Sequence, residues 1–183
     1  MAGPFIFVFT GTSGSGRKTI AHRIGEELGI EHVLSYTTRP PRDTEPPDRD
    51  YHYITRERFE AMERCGEFVE TAVIGRERYG LRTQELFKPI QEGRHAYVIL
   101  NSEGASILKR LYGEQVVRLF LYVDKRTVKE RLETKGMPVD VIDRYLGLYT
   151  EEVVYRKQCE HVIENMTMNR SLEQIRTAIQ SHL

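Results

Sequence analysis

The chain has 183 residues, 39% apolar and 30% charged, which suits one globular domain with a substantial buried core. Its 27 basic and 27 acidic residues cancel, which argues against a general nucleic-acid binder, since such domains carry a basic excess. No apolar run approaches the roughly 20 residues that span a bilayer, and Phe5–Phe9 lacks the length and basic leader of a secretion signal.

Residues 5–10 (FIFVFT) are continuously apolar, as expected of a strand buried on both faces of a parallel sheet. A glycine-rich turn follows. Ile20, Ala21, Ile24 and Leu28 then recur at helical spacing over 18–29, closing at Gly29. His32–Ser35 reads as a second strand. Residues 40–50 contain four prolines and several aspartates and are expected to form a loop. A short helix is predicted over Thr55–Arg64, capped by Thr55, and an edge strand over Phe68–Ile74. Five arginines, Arg39, Arg42, Arg49, Arg56 and Arg58, fall in this stretch. A charge cluster of this kind usually marks a solvated surface.

His95–Asn101 and Val116–Val123 are further buried-strand candidates, separated by a predicted helix over Gly104–Leu111. Residues 125–135 and 139–154 are charged and helical in spacing, and Gly136 and Pro138 part them. His161–Glu164 is a short final strand. Ser171, with Gln174 three residues on, suggests a capping box opening the C-terminal helix. Strands alternating with helices predict an α/β fold with a mostly parallel sheet. Cys65 and Cys159 form neither a metal-ligand pair nor a disulfide framework, so a reducing, cytoplasmic setting is expected.

The sharpest feature is Gly11-Thr12-Ser13-Gly14-Ser15-Gly16-Arg17-Lys18-Thr19, placed after a strand and before a helix. Glycines let the backbone wrap with its N–H groups inward, and the helix N-terminus adds partial positive charge, so the segment is expected to bind nucleotide phosphates. A strict phosphate loop reads G-x-x-x-x-G-K-[ST]. Gly11 and Gly16 are correctly spaced, but Arg17 precedes Lys18. In one register Arg17 replaces the lysine and Lys18 replaces the small hydroxyl residue that ligates Mg²⁺. In the other Arg17 is inserted, and Lys18 and Thr19 keep the usual roles. The first is preferred, because Gly11–Gly16 already fills the loop and Ile20 then begins the apolar face. Thr19, directly or through water, is then the candidate metal ligand.

Residues 35–53 run Ser-Tyr-Thr-Thr-Arg-Pro-Pro-Arg, an acidic loop, then Asp50-Tyr51-His52-Tyr53. With the loop at Gly11, this resembles the guanylate kinase family, whose pattern is S-x-T-T-R-x-x-R-x-G-E-x-x-G-x-D-Y-x-F. Ser35, Thr37, Thr38, Arg39, Arg42, Glu45, Asp50 and Tyr51 match in order and spacing. Thr44 and Asp48 stand where the family has glycines. Gly66–Ala72 resembles the family's G-x-F-x-E-x-A, Tyr79-Gly80 its Y-G pair, and Val162–Asn165 its V-I-x-N strand end.

The resemblance implies a three-layer P-loop NTPase fold with a mostly parallel central sheet, a nucleoside-monophosphate-binding subdomain and a helical lid. The expected division of the single domain is a core at 1–34, 86–124 and 155–183, a monophosphate-binding region at 35–85 and a lid at 125–154. It implies transfer of the γ-phosphoryl of ATP, with Mg²⁺, onto GMP. Gly11 to Thr19 and Asn165 would bind ATP. Arg39, Arg42, Tyr51 and Tyr79 would hold the acceptor phosphate, with Glu70, Ser35 and Asn101 on the guanine. Arg17, Lys18, Arg39, Arg131, Lys135 and Arg144 would stabilise the transferring group.

The chain departs from the family at several of these places. Leu81 replaces the hydroxyl residue after the Y-G pair, and Ile99 and Asn101 replace two aspartates. Lys135 and Tyr145 replace two lid arginines. Two rival readings follow: a module that binds a nucleotide or a protein partner with impaired catalysis, and a kinase with a changed acceptor base. Whether the chain is a monomer or a homodimer is left open.

Overall fold

The computed structural model describes residues 3–43 and 45–183. Thr44 lies outside them.

Five parallel strands form the central sheet, in the order β2 (Glu31–His32), β7 (Ala96–Ile99), β1 (Ile6–Gly11), β8 (Val116–Tyr122), β9 (His161–Glu164). The central position of β1 explains its unbroken apolar run, because both of its faces must be covered. Phe7 and Phe9 pack with Ile20, Ala21 and Ile24 of α1 (Arg17–Leu28) and with Leu172, Ile175 and Ile179 of α7 (Met168–Gln180). Ile6 and Val8 point the other way, toward Leu86 of α3 (Thr83–Gln91) and Ala105 and Leu108 of α4 (Ser102–Tyr112). Helix, sheet and helix therefore make three layers. Each fully buried large apolar side chain contributes about 1.5–3 kcal/mol.

A second sheet has four strands in the order β4 (Tyr51–Tyr53), β3 (Ser35–Thr37), β6 (Glu77–Arg82), β5 (Phe68–Ile74). Helix α2 (Arg56–Arg64) closes it through Phe59 and Met62, which pack on Tyr36 and Phe68. Thr55 caps this helix as expected, accepting from Arg58 N–H at 3.2 Å, and β5 is an edge strand, as the sequence predicts. Helices α5 (Lys125–Thr134) and α6 (Val139–Val154) pair through Val128, Leu132 and Ile142. The Tyr149 hydroxyl of α6 donates to the Val123 carbonyl at 2.8 Å and ties this pair to the end of β8. No helix among the described residues is long and apolar enough to cross a membrane.

Two expectations need correction. The segment His32–Ser35 is not one strand: Glu31–His32 belongs to the central sheet and Ser35–Thr37 to the second. The chain changes sheets at Val33, whose N–H still bonds the Tyr97 carbonyl at 3.0 Å. Ser171 does not open the C-terminal helix. That helix begins a turn earlier, at Met168 with Thr167 as its cap residue, because Met168 reaches the core beside Leu172 and Ile175. Ser171 faces inward, and its buried hydroxyl has no partner.

Candidate active site

The phosphate loop is shaped by close contacts that exclude side chains. Gly11 lies against β8 so tightly that a Cβ there would stand 1.9 Å from the Leu121 carbonyl oxygen. Gly16 turns the chain into α1 with φ 79°, a conformation that costs glycine nothing. Thr12 N–H donates to the Leu121 carbonyl at 3.1 Å, and Ser15 N–H to the Thr12 carbonyl at 3.2 Å. The Thr12 and Ser15 hydroxyls are buried without partners. Asn165, at the end of β9, braces the loop from below by donating from Nδ2 to the Ser15 carbonyl at 2.6 Å.

The first turn of α1 carries Arg17 and Lys18 and no acidic residue. Cations at a helix N-terminus oppose the macrodipole, so this turn is poorly neutralised until an anion arrives. Arg17 is the first helical residue after Gly16. Its guanidinium folds back over the loop and donates to the Gly11 carbonyl at 3.1 Å. Lys18 goes elsewhere: its ammonium lies 4.7 Å from the centroid of the Tyr51 ring. Burial pulls the Lys18 pKa down, Asp50 and Glu45 oppose that, and Arg17 and Arg39 reinforce it. Thr19 is exposed on the same turn. Gly14 touches the lid: a Cβ there would lie 3.1 Å from Val128.

Opposite the loop stands a second cationic cluster. Strand pairing sets Ser35 level with Tyr51, and Thr37 level with both Tyr53 and Tyr79. The Arg39 guanidinium lies 5.4 Å from the Tyr51 ring and 5.7 Å from the Tyr53 ring. It donates to both carboxylate oxygens of Glu45, at 3.0 and 3.1 Å. The rings of Tyr51 and Tyr79 meet edge to face at 5.5 Å. Arg42 sits apart, with a largely exposed side chain 3.9 Å from Glu45. Asp50 accepts from His22 of α1 at 2.6 Å, a bond that fastens the loop-bearing helix to the strand carrying Tyr51.

Between β5 and the start of α4 lies a carboxylate. Glu70 of β5 is only 6% exposed, and burial first, then the charge of Glu103, push its pKa up to about 7 against the Leu81 backbone hydrogen bond. It abuts Gly104 at the start of α4, where a Cβ would lie 2.9 Å from its Oε2. Asn101 is close by and caps α4, its Oδ1 accepting from Gly104 N–H at 2.9 Å. Leu81, paired with Glu70 across the strands, is fully buried. Ser35 is also buried.

The lid residues divide. Arg131 donates to the Asn165 carbonyl at 2.8 Å and to the Met166 carbonyl at 3.3 Å, just beyond β9. Lys135 and Arg144 are exposed on the outside of the lid and touch neither cluster. Sequence reasoning missed Glu152 of α6, which accepts from Ser13 N–H at 3.2 Å and from the Ser13 hydroxyl at 2.9 Å. It sits in an ordinary charged helix with nothing local to flag it. The His22–Asp50 bond was equally hidden, since its partners are 28 residues apart.

A family model described as guanylate kinase matches residues 5–182. The chain belongs to the guanylate kinase family. Among curated relatives, a guanylate kinase of Chlorobium luteolum is 30% identical, with 97% of this chain and 92% of that protein covered. One from Koribacter versatilis is 27% identical over 95% of this chain and 77% of its own length. The crystal structure of guanylate kinase from Anaplasma phagocytophilum superposes with a TM-score of 0.79 at 21% identity, covering 99% of this chain and 87% of that one. At that identity the likeness speaks for the fold, a three-layer α/β P-loop architecture.

The motif of this fold holds Mg²⁺ with a loop hydroxyl and carboxylates, and the residues here do not fit it. In the preferred register Lys18 stands at the hydroxyl position, Thr19 is exposed one residue on, and Asn101, which brings no charge, is engaged as a helix cap. The Glu152 carboxylate at the loop is held on both oxygens by Ser13. Among the described residues no group of three His, Cys, Asp or Glu is placed to hold a metal.

Proposed function

We propose that this chain is a cytoplasmic nucleoside monophosphate kinase that moves the γ-phosphoryl of ATP onto GMP, yielding ADP and GDP. The observation that carries this reading is the pair of facing anion sites: loop amides at the start of α1 on one side, and Arg39, Tyr51 and Tyr79 on the other, with Lys18 reaching across. Such a transfer needs positioning and charge stabilisation and no strong base, since an acceptor phosphate oxygen is already anionic.

In this reading Gly11–Gly16 and Arg17 cradle the donor phosphates, and Asn165 holds the loop in shape. ATP arrives with Mg²⁺ carried by its own phosphate oxygens and water. Arg39, whose Nη2 alone donates to Glu45, turns to the acceptor phosphate, which a guanidinium can hold with two nitrogens, and Tyr51 and Tyr79 add hydroxyl donors. Arg42 joins when the 40–50 loop closes. Ionised Glu70 accepts from guanine N1–H and the 2-amino group, a pair of donors that adenine lacks at that edge, with Ser35 and Asn101 beside it. Arg131 leaves the Asn165 and Met166 carbonyls to reach the transferring group. Lys135 and Arg144 enter only if the 125–154 lid rotates over the 35–85 region and the remaining core, which also excludes water.

Leu81 favours one rival: a fully buried leucine removes a hydroxyl from the base site and loosens guanine selection. A coupled assay with ATP, Mg²⁺ and each of GMP, dGMP, AMP, CMP and UMP decides between them. ADP formation with GMP preferred by about 100-fold over AMP is expected, because a buried site built for polar groups penalises a base lacking them by that much or more. Preference for another base sustains the changed-acceptor reading. GMP binding without turnover sustains the binding-module reading.

A further inference from the structure

We infer that Lys18 supplies, from the protein itself, the positive charge that a loop-bound divalent ion supplies elsewhere, so that this chain grips ATP with little dependence on Mg²⁺. The inference rests on the donor-site reading above and goes beyond it.

Three observations converge on Lys18. In the preferred register it fills the position whose hydroxyl would ligate the metal. Next, the ammonium is unspent. Among the described residues Lys18 makes no hydrogen bond and no ion pair; its contact is the Tyr51 ring, 4.7 Å away. The carboxylates that feel its charge are committed elsewhere, Asp50 to His22 at 2.6 Å and Glu45 to Arg39 at 3.0 Å. Finally, its route is the required one. The side chain leaves α1 one residue after Arg17, at the donor loop, and ends over a residue of the acceptor cluster. A cation on that path faces donor and acceptor phosphates together, where it can screen the repulsion between them.

An ammonium so placed differs from a metal in useful ways. It carries one charge instead of two and cannot lower a water pKa, but transfer onto an already anionic phosphate needs no activated water. It needs repulsion screened in a site of low polarity, where one charge at about 4 Å is worth several-fold more than in water. Because the cation is covalently attached, it does not leave with chelation.

The test is titration calorimetry of ATP into the purified chain and into Lys18→Ser, each with excess Mg²⁺ and with EDTA. Serine restores the hydroxyl of the usual motif, and far-ultraviolet circular dichroism checks that α1 persists. The native chain should bind ATP within about threefold of the same affinity in both buffers. Lys18→Ser should lose about tenfold or more in EDTA, and Mg²⁺ should recover most of it. Equal loss on chelation in both proteins overturns the inference while leaving the donor site standing. Failure of the native chain to bind ATP in either buffer overturns both.

Discussion

A carboxylate held near neutrality is the most consequential single residue. Glu70 lies between β5 and α4, and burial first, with Glu103 adding to it, pushes its pKa up to about 7. The sign of the linkage follows. With a folded pKa above the unfolded one, Glu70 stabilises the fold below about pH 4.5, and that contribution disappears as pH rises toward 7, a loss of about 3 kcal/mol. Guanine needs the opposite form, because only the carboxylate accepts from both N1–H and the 2-amino group. GMP affinity should therefore rise about tenfold between pH 6 and pH 8, measured by calorimetry, while Glu70→Gln should bind weakly at every pH and unfold with a flatter pH profile. A GMP affinity independent of pH in the native chain would remove Glu70 from the base site. The residue was legible as a candidate from its motif, but its protonation was not. That property arises from Gly104 and Glu103, which are distant in sequence and meet Glu70 only because α4 packs on β5. Asp48 shows the reverse: it stands in place of a family glycine and keeps a glycine-like φ of 54°, which aspartate tolerates better than most residues.

Elements were readable where burial imposed a simple pattern. β1, β7 and β8 are covered on both faces and announce themselves as apolar runs, and α1 shows its stripe of Ile20, Ala21 and Ile24. β4 has three residues and β6 is mostly polar and half-buried, so their sequences carry no alternation strong enough to read. Helix α3 was hidden by Pro89, which usually ends a helix but here sits in its last turn and packs inward. The site depends on how α1 sits on the sheet, and that contact is tight: a Cβ on Gly25 would stand 2.3 Å from the Tyr97 ring. Tyr97 in turn bonds His22 at 2.9 Å, so overpacking at Gly25 pushes on the residue that fastens α1 to Asp50. Gly25→Ala should cost about 1–3 kcal/mol, seen as a fall of several degrees in Tm. An unchanged Tm would mean that α1 does not rest on β7 through this glycine.

At the scale of the molecule, one arrangement organises the rest. The central sheet ends β1 at the loop, the second sheet ends β3 near Arg39 and opens β4 at Tyr51, and the His22–Asp50 bond and the Lys18–Tyr51 contact join the two across the gap. The sequence named both sites through the loop and the S-x-T-T-R segment, but their facing arrangement exists only in three dimensions. The pair α5 and α6 is the part least determined by local sequence: it is built on Val128, Leu132 and Ile142, while Lys135 and Arg144 face solvent.

If donor and acceptor phosphates are held face to face, one molecule with both ends should fill the two sites at once. The direct measurement is the affinity of adenosine and guanosine joined through five phosphates, compared with ATP and GMP alone. It should bind at least about 100-fold more tightly than either nucleotide, the gain expected when linked ends engage two sites with one loss of translational freedom. Binding no tighter than ATP would show that the two clusters do not serve one reaction.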